Sequence, residues 1–298
     1  MMDSITLTHS KREQTDVSGA LPLDKIVCGD NASVMGTFPS ESIDLVVTSP
    51  PYDDLRTYSA GKPMSELWDF ESVAQQLWRT IKPGGVVVWI VSDATVNGSE
   101  TGTSFRQALR FMEIGFRLHD TMVYEKDSCP FPETNRYYPV SEMMFILSKG
   151  KPISVNLIAD RVNSCAGQNV ATGTQREADG SLSRVSASRV APDRTVKKFG
   201  VRGNVWKYQV GFGKVSRDRF AHKHPAIFPE KLARDHIVSW SNEGDIVLDP
   251  FNGSGTTTKM AREMGRHYIG IEVNPEYCES ARKRIEQKLL FGVEEVTA

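Results

Sequence analysis

The tetrapeptide Ser49-Pro50-Pro51-Tyr52 combines a hydroxyl, a conformationally fixed carbonyl and an aromatic ring at one point of the chain. Residues 43–47 before it are largely apolar and rich in β-branched side chains, which predicts a buried strand. Because the two prolines fix two φ angles and donate no N–H, the chain leaves this strand stiffly, with carbonyl groups free to accept hydrogen bonds. These groups suit a ligand site at the carboxyl edge of a sheet. A Pro-Pro turn that merely ends a strand is the alternative, and the tetrapeptide alone does not decide between them.

A second group of residues with chemical potential is a glycine-rich turn near the C-terminus. It reads Asp249-Pro250-Phe251-Asn252-Gly253-Ser254-Gly255-Thr256 and stands between a predicted strand and a predicted helix. Glycines there let a ligand approach the backbone closely. Glu272, about twenty residues later at the end of the next predicted strand, is placed to accept hydrogen bonds from ribose hydroxyls. The spaced acid favours a nucleoside-bearing cofactor over a purely structural turn. The turn lacks the Gly-Lys-Ser/Thr ending of a phosphate loop.

Strands and helices alternate around these two motifs, which predicts a mostly parallel α/β sheet covered on both faces. Residues 121–125 and 143–147 are expected to form one antiparallel strand pair. Lys82-Pro83-Gly84-Gly85 is predicted to separate a helix from a strand beginning at Val86, and Ser104 to cap the next helix.

Composition limits the classes of protein that fit. The chain of 298 residues has a net charge of −1, no apolar run of membrane-span length, and a polar N-terminus without a signal-peptide core. Four scattered cysteines favour a reduced cytosol over a disulfide framework or a zinc site, so we expect a cytoplasmic protein without metal or membrane. Residues 151–225 hold 14 Lys and Arg against 5 Asp and Glu. This surplus indicates either a polyanion-binding module or a solvated insertion.

The two motifs in this order resemble a known family. Thr-Ser-Pro-Pro-Tyr at 48–52, followed about 200 residues later by Asp-Pro-Phe-x-Gly-Ser-Gly-Thr-Thr at 249–257, is similar to the DNA amino-methyltransferases of the β arrangement. The resemblance covers about 21–150 and 221–290. It implies a class I (Rossmann-like) methyltransferase fold with circularly permuted motif order and S-adenosylmethionine as cofactor. The expected domains are a flexible tail at 1–20, a catalytic half at 21–150, an inserted target-recognition region at 151–223 and a cofactor half at 224–298.

The resemblance also implies roles for individual residues. Ser49 and the Pro50 carbonyl would accept hydrogen bonds from a base amine, and Tyr52 would stack on the extracted base. Asp249 would face the methionine amino group of the cofactor, and Glu272 the ribose. The remaining expected cofactor-binding residues are Asp30, His224, Phe228, Pro250, Phe251, Gly253, Ser254, Gly255 and Thr256. Asp30 is equally explained as a helix N-cap, and His224 as a turn residue. The expected DNA-binding residues are Arg56, Arg136, Lys197, Lys198 and Arg202.

The expected reaction is methylation of an exocyclic amine in a specific duplex DNA sequence, after base flipping. Ser at the first position of the tetrapeptide and the form His-Pro-Ala-x-Phe-Pro at 224–229 resemble the cytosine-N4 branch, with adenine-N6 as the alternative. An RNA or small-molecule methyltransferase and a catalytically idle DNA-binding protein are less favoured. Double-stranded DNA is the expected partner. A separate cognate endonuclease, and the choice between monomer and homodimer, stay open.

Overall fold

The protein is described by a computed structural model covering residues 19–51, 68–128, 135–168, 174–184, 195–216, 218, 221, 224 and 226–286. Within these residues the chain forms one large mixed sheet, three small two-stranded ribbons and six helices. The strands of the large sheet are β1 (Lys25–Cys28), β2 (Ile43–Thr48), β3 (Ile81–Val91), β6 (Arg117–Lys126), β7 (Ser141–Ser148), β12 (Val205–Tyr208), β13 (Ile246–Asp249) and β14 (His267–Glu272). The ribbon strands are β4 (Thr95–Val96), β5 (Ser99–Glu100), β8 (Arg161–Val162), β9 (Thr174–Arg176), β10 (Leu182–Arg184) and β11 (Phe199–Gly200). The helices are α1 (Asn31–Gly36), α2 (Phe70–Thr80), α3 (Thr103–Ile114), α4 (Glu230–Trp240), α5 (Thr256–Glu263) and α6 (Pro275–Glu286).

The large sheet has the strand order β1-β14-β13-β2-β3-β7-β6-β12. The five strands from β1 to β3 are parallel, and β7 is antiparallel to both of its neighbours. The predicted parallel sheet with one antiparallel hairpin, β6–β7, is therefore confirmed. β13, from the C-terminal half of the chain, lies next to β2, from the N-terminal half. The sheet order thus brings together two motifs that are about 200 residues apart in the sequence.

Both faces of the sheet are buried, which explains the near-continuous apolar runs in the central strands. Leu45 and Val47 of β2 pack into one core with α4, α5 and α6. Ile43 and Val46 pack into the other core with α1, α2 and α3. Because successive side chains of a strand point to opposite faces, a run without polar alternation needs helices on both sides.

Two local predictions are wrong. Lys82-Pro83-Gly84-Gly85 does not separate two elements, because α2 ends at Thr80 and β3 already begins at Ile81. Ile81 pairs with Ile43 and Val86 with Leu45, so the extra residues of β3 form a bulge inside the strand. Ser104 does not cap α3, whose N-cap is Gly102. The Asp93 carboxylate instead accepts the Ser104 N–H at 2.8 Å and its hydroxyl at 2.6 Å.

The basic segment is built differently from the sheet. Its described residues form two antiparallel ribbons, β8 with β11 and β9 with β10, and their side chains are mostly exposed. One part of the predicted insertion belongs to the main sheet, because β12 pairs with β6 as its eighth strand. The boundaries of a target-recognition region therefore stay a prediction.

Candidate active site

A cleft opens where the parallel strands end. The chain passes from β2 into Ser49, from β13 into the glycine-rich turn, and from β1 into Gly29, and Glu272 ends β14. Because carboxyl ends of parallel strands meet at one edge, these groups converge beside the crevice between β13 and β2. The cleft is open to solvent on one side and is lined by a mixture of polar and apolar groups, as ligand sites commonly are.

Most of the predicted site residues line this cleft. Those on its wall are Asp30, Ser49, Pro51, His224, Phe228, Pro250, Phe251, Gly253, Ser254, Thr256 and Glu272. Pro50, Asp249 and Gly255 are not on the wall. Tyr52 and Arg56 lie outside the described residues, so their predicted roles stay predictions.

Glu272 has both a structural contact and a free approach to the cleft. Its Oε2 accepts the Gly253 N–H at 2.9 Å, and its Oε1 accepts the Asn274 N–H at 2.8 Å. A carboxylate has about four lone-pair sites, so Glu272 can accept a further hydrogen bond from a ligand in the cleft that it lines. Burial raises the pKa of this carboxyl above its ordinary value, and the backbone donors oppose that rise. Glu272 therefore fixes the glycine-rich turn and can bind a ligand at the same time.

Asp249 lies beneath the wall. Its side chain is 1% exposed, and its Oδ1 accepts both the Thr48 hydroxyl at 2.7 Å and the Phe251 N–H at 3.1 Å. Burial raises the pKa of this carboxyl to about 6, although these hydrogen bonds favour its charged form. Direct contact with the cofactor, as the resemblance implies, stays a prediction. The structure shows a link from the turn to β2.

The two glycines of the turn have different roles. Gly253 lines the cleft with φ +49°, and a Cβ there would lie 2.9 Å from His224 Nε2. Gly255 has φ +84°, and a Cβ there would lie 2.9 Å from the Ala281 Cβ on α6. Helix packing therefore already excludes a side chain at Gly255, and its expected contact with the cofactor stays a prediction. Their amides are also engaged, by Glu272 and by the Asn252 carbonyl.

Asp30 and His224 each make the predicted local contact and also line the cleft. Asp30 Oδ1 caps α1 by accepting the Ser33 N–H at 2.8 Å, and the residue also lines the cleft. His224 Nδ1 contacts the Ala226 carbonyl at 2.7 Å, which is a turn interaction. Its ring also lines the cleft, packed edge-on against Tyr277 at 4.5 Å between ring centroids. A turn or cap role therefore does not exclude a ligand role.

Sequence reasoning missed several residues of the cleft wall, among them Tyr277, Asn31 and Trp68. Tyr277 lies in the first turn of α6, directly after the strand that ends in Glu272, so its position was a readable signal. Asn31 donates to the Pro250 carbonyl at 3.2 Å and ties α1 to the turn. Trp68 packs edge-on against Phe251 at 4.8 Å between ring centroids, and an aromatic residue before a helix gave no signal.

The predicted DNA-binding residues separate into two groups. Lys197 and Lys198 are exposed. The Arg202 guanidinium pairs with Asp160 and, at 2.7 Å, with the buried Asp235, so these carboxylates compete with a phosphate for it. Its predicted contact with DNA stays a prediction. Arg136 donates to the Gly98 carbonyl and lies 4.0 Å from Glu100, at the β4–β5 ribbon.

Comparison with known proteins identifies the class. A family model described as DNA methylase, of the N6/N4 methyltransferase type, matches residues 43–283. The chain is 54% identical over 251 residues to the orphan methyltransferase M.BamHII of Bacillus amyloliquefaciens, covering 84% of this chain and 91% of that protein. It is 28% identical to the DNA adenine methyltransferase YhdJ of Escherichia coli, covering 91% and 85%. The chain belongs to this family of DNA amino-methyltransferases.

The fold has a solved counterpart. The PvuII DNA methyltransferase, titled cytosine-N4-specific, superposes with a TM-score of 0.62 at 23% identity, covering 87% of this chain and 85% of that one. At this identity the likeness shows the class I methyltransferase fold. Two further structures of this fold were solved as complexes with S-adenosylmethionine. The predicted fold, family and cofactor are confirmed.

The cleft fits this cofactor on its own geometry. Glu272, an acceptor for ribose hydroxyls, ends β14 and lines the cleft, Gly253 with its positive φ lets a ligand approach the wall, and Phe251 offers an apolar face. The described residues also contain no helix that is long and apolar enough to cross a membrane.

Proposed function

We propose that the protein transfers a methyl group from S-adenosylmethionine to the exocyclic N4 amine of cytosine in a specific sequence of duplex DNA. One observation carries this proposal: Ser49 and the glycine-rich turn at 249–256, called the cofactor turn from here on, line the same cleft. The donor and a hydrogen-bond acceptor for the target amine thereby share one space. The choice of cytosine rests on the Ser-Pro-Pro-Tyr form of the tetrapeptide at 49–52.

The chemical problem is the weak nucleophilicity of the amine, whose lone pair is delocalised into the base ring. Ser49 Oγ and the Pro50 carbonyl accept hydrogen bonds from its two N–H groups, which favours a pyramidal and more reactive nitrogen. The cofactor supplies an activated methyl group on a sulfonium. Methyl transfer would break the methyl–sulfur bond and leave the cofactor as a neutral thioether, and the methylated nitrogen would release one proton to water. Most of the rate enhancement would come from positioning.

The remaining residues of the cleft hold the donor and the base in place. Glu272 accepts from the ribose hydroxyls, and Phe251 packs against the cofactor. Tyr52 stacks on the target base after that base has left the duplex. A base that is still stacked inside the DNA helix could not reach the cleft. Lys197 and Lys198 contact the phosphate backbone.

Adenine-N6 is the second candidate, and the name of the relative YhdJ favours it. The product distinguishes the two. Duplex DNA of mixed sequence is incubated with tritiated cofactor, digested to nucleosides and separated by chromatography. We expect the label in N4-methylcytosine. Label in N6-methyladenine would replace the first proposal with the second, and label in neither would reject both.

Recognition sequence and location are separate questions. Sequencing DNA from cells that express the protein, with detection of modified bases, gives the target sequence. The cytoplasmic location and the oligomeric state stay predictions from the sequence.

A further inference from the structure

The two halves of the site meet between β13 and β2, where the backbone hydrogen bonding is short. Val247 pairs with Leu45 and Leu248 with Val46, and the paired register ends there. Beyond these pairs β2 stays paired with β3 up to Thr48, and β13 with β14 up to Asp249, but β2 and β13 have no further pair with each other. Ser49 follows the end of β2 and the glycine-rich turn follows the end of β13. A direct link between these two ends therefore has to come from side chains.

Side chains provide that connection. Thr48, fully buried, donates its hydroxyl to Asp249 Oδ1 at 2.7 Å. The same oxygen accepts the Phe251 N–H at 3.1 Å, so one atom bonds to both halves. Thr257, at the start of α5, donates its hydroxyl to the Val47 carbonyl at 3.0 Å. Two buried threonines thus take over where the ladder stops.

We infer that Thr48 is a positioning residue for methyl transfer, whose bond to Asp249 sets the distance between Ser49 and the cofactor turn. This inference rests on the proposed role of Ser49. Thr48 is adjacent to Ser49 in the chain, and Phe251 lines the cleft beside the donor. A shift of about 1 Å between reacting groups can cost about a hundredfold in rate, so a bond at this place affects catalysis without touching a substrate.

The bond also has a measurable electrostatic signature. The Thr48 hydroxyl stabilises the charged form of Asp249 against the cost of burial, which raises the pKa of that carboxyl to about 6. The other groups facing it are the Phe251 N–H, the Thr257 hydroxyl and the carboxylate of Glu272, whose charge opposes ionisation. Removing the Thr48 hydroxyl therefore raises the pKa further, by about one unit for the loss of a hydrogen bond to a charged group.

The test compares Thr48→Val, which keeps the shape and loses the hydroxyl, with Thr48→Ser, which keeps the hydroxyl. Thr80→Val is the matched control, because Thr80 is equally buried and donates to the Gln76 carbonyl at 2.8 Å away from the cleft. Single-turnover methylation is measured at saturating cofactor and DNA, across pH 5–8, with dissociation constants from calorimetry and unfolding by heat.

We expect Thr48→Val to slow the step about tenfold to a hundredfold with little change in either dissociation constant. The acid limb of the pH–rate profile of Thr48→Val should move up by about one pH unit, because the pKa of Asp249 rises. Thr48→Ser and Thr80→Val should keep the wild-type rate and profile. If Thr48→Val does not fold, Thr48→Ala against Thr48→Ser makes the same comparison.

Ser49→Ala separates the two levels of the proposal. A wild-type rate in Thr48→Val, with Ser49→Ala impaired, would overturn the positioning role alone. A wild-type rate in Ser49→Ala would remove the proposed role of Ser49, on which the positioning role rests, whereas the nucleoside product tests the proposed function itself.

Discussion

The network beneath the cleft and the basic segment both contain cationic side chains, but the protein uses them in opposite ways. Beneath the cofactor turn, Arg284 has no exposed side-chain surface and pairs with Asp218 at 2.8 Å and Glu230 at 2.6 Å. In the basic segment, Lys197 and Lys198 face solvent. Arg284 fixes the backbone of the turn, whereas Lys197 and Lys198 are exposed to a polyanion in solution. A charge count along the sequence cannot tell these two apart.

Arg284 shows how the buried cation supports the cleft. Its Nη1 donates to the Ser254 carbonyl and to the Thr256 hydroxyl, both at 3.1 Å. Its other donors reach Asp218 and Glu230, where the chain returns from the basic segment into α4. Lys259 joins the same two carboxylates. The turn that lines the cleft is thus braced from below by a neutralised network.

The largest expected difference between the two regions is in stability. Arg284→Met leaves two carboxylates without their guanidinium partner, and breaking such a buried network costs about 3–5 kcal/mol. Lys197→Met at the exposed site should change the free energy of unfolding by less than about 0.5 kcal/mol. Urea unfolding measures both. Equal effects in the two variants would contradict the distinction between bracing and available cations.

A second effect concerns the turn itself. Gly255→Ala and Gly244→Ala place a side chain at nearly the same φ, +84° and +83°, but only Gly255 has a neighbour within 4 Å of the added Cβ. The positive φ should cost each variant about 1–2 kcal/mol. Gly255→Ala should cost about 1–3 kcal/mol more, because its Cβ meets Ala281. Thermal unfolding of the pair checks this, and indistinguishable stabilities would refute the packing explanation.

The third effect is on cofactor binding, and its sign follows from Asp249. The pKa of this carboxyl is raised to about 6 by burial, so the group takes up a proton as the pH falls below 6. A cationic ligand favours the charged carboxylate, so binding should lower this pKa and release a proton near pH 6. Affinity should then fall by up to about tenfold per pH unit below that point.

Calorimetry at pH 6 in two buffers of different ionisation enthalpy measures this proton release. Asp249→Asn should reduce it. Cofactor binding without proton exchange at pH 6 would show that Asp249 does not sense the ligand.

The smallest expected effect belongs to the basic segment. If Lys197 and Lys198 contact phosphates, replacing both with Met should reduce the slope of log affinity against log salt by about 1.8. Arg202→Met is the control, because Arg202 is already paired with Asp160 and Asp235 and should leave the slope unchanged. A slope lowered by Arg202→Met but unaffected by the lysine pair would reverse the assignment.

The same contrast explains what the sequence could predict. β2, the glycine-rich turn and Glu272 were readable, because apolar runs and spaced motifs reflect local backbone requirements. The Thr48–Asp249 bond joins residues 201 positions apart and follows only from the strand order. The pairing of Arg202 with Asp235 likewise depends on how α4 packs beside β12. Long-range neutralisation of charge leaves no periodic trace in a sequence.

The central claim is that Ser49 accepts a hydrogen bond from the target amine, and that the cofactor is bound by other residues of the same cleft. Single-turnover methylation by Ser49→Ala, with tritiated cofactor and saturating duplex DNA, tests it most directly. We predict a rate about tenfold to a thousandfold lower, equivalent to about 1.4 kcal/mol per decade, with cofactor affinity nearly unchanged. A wild-type rate in Ser49→Ala would contradict the claim.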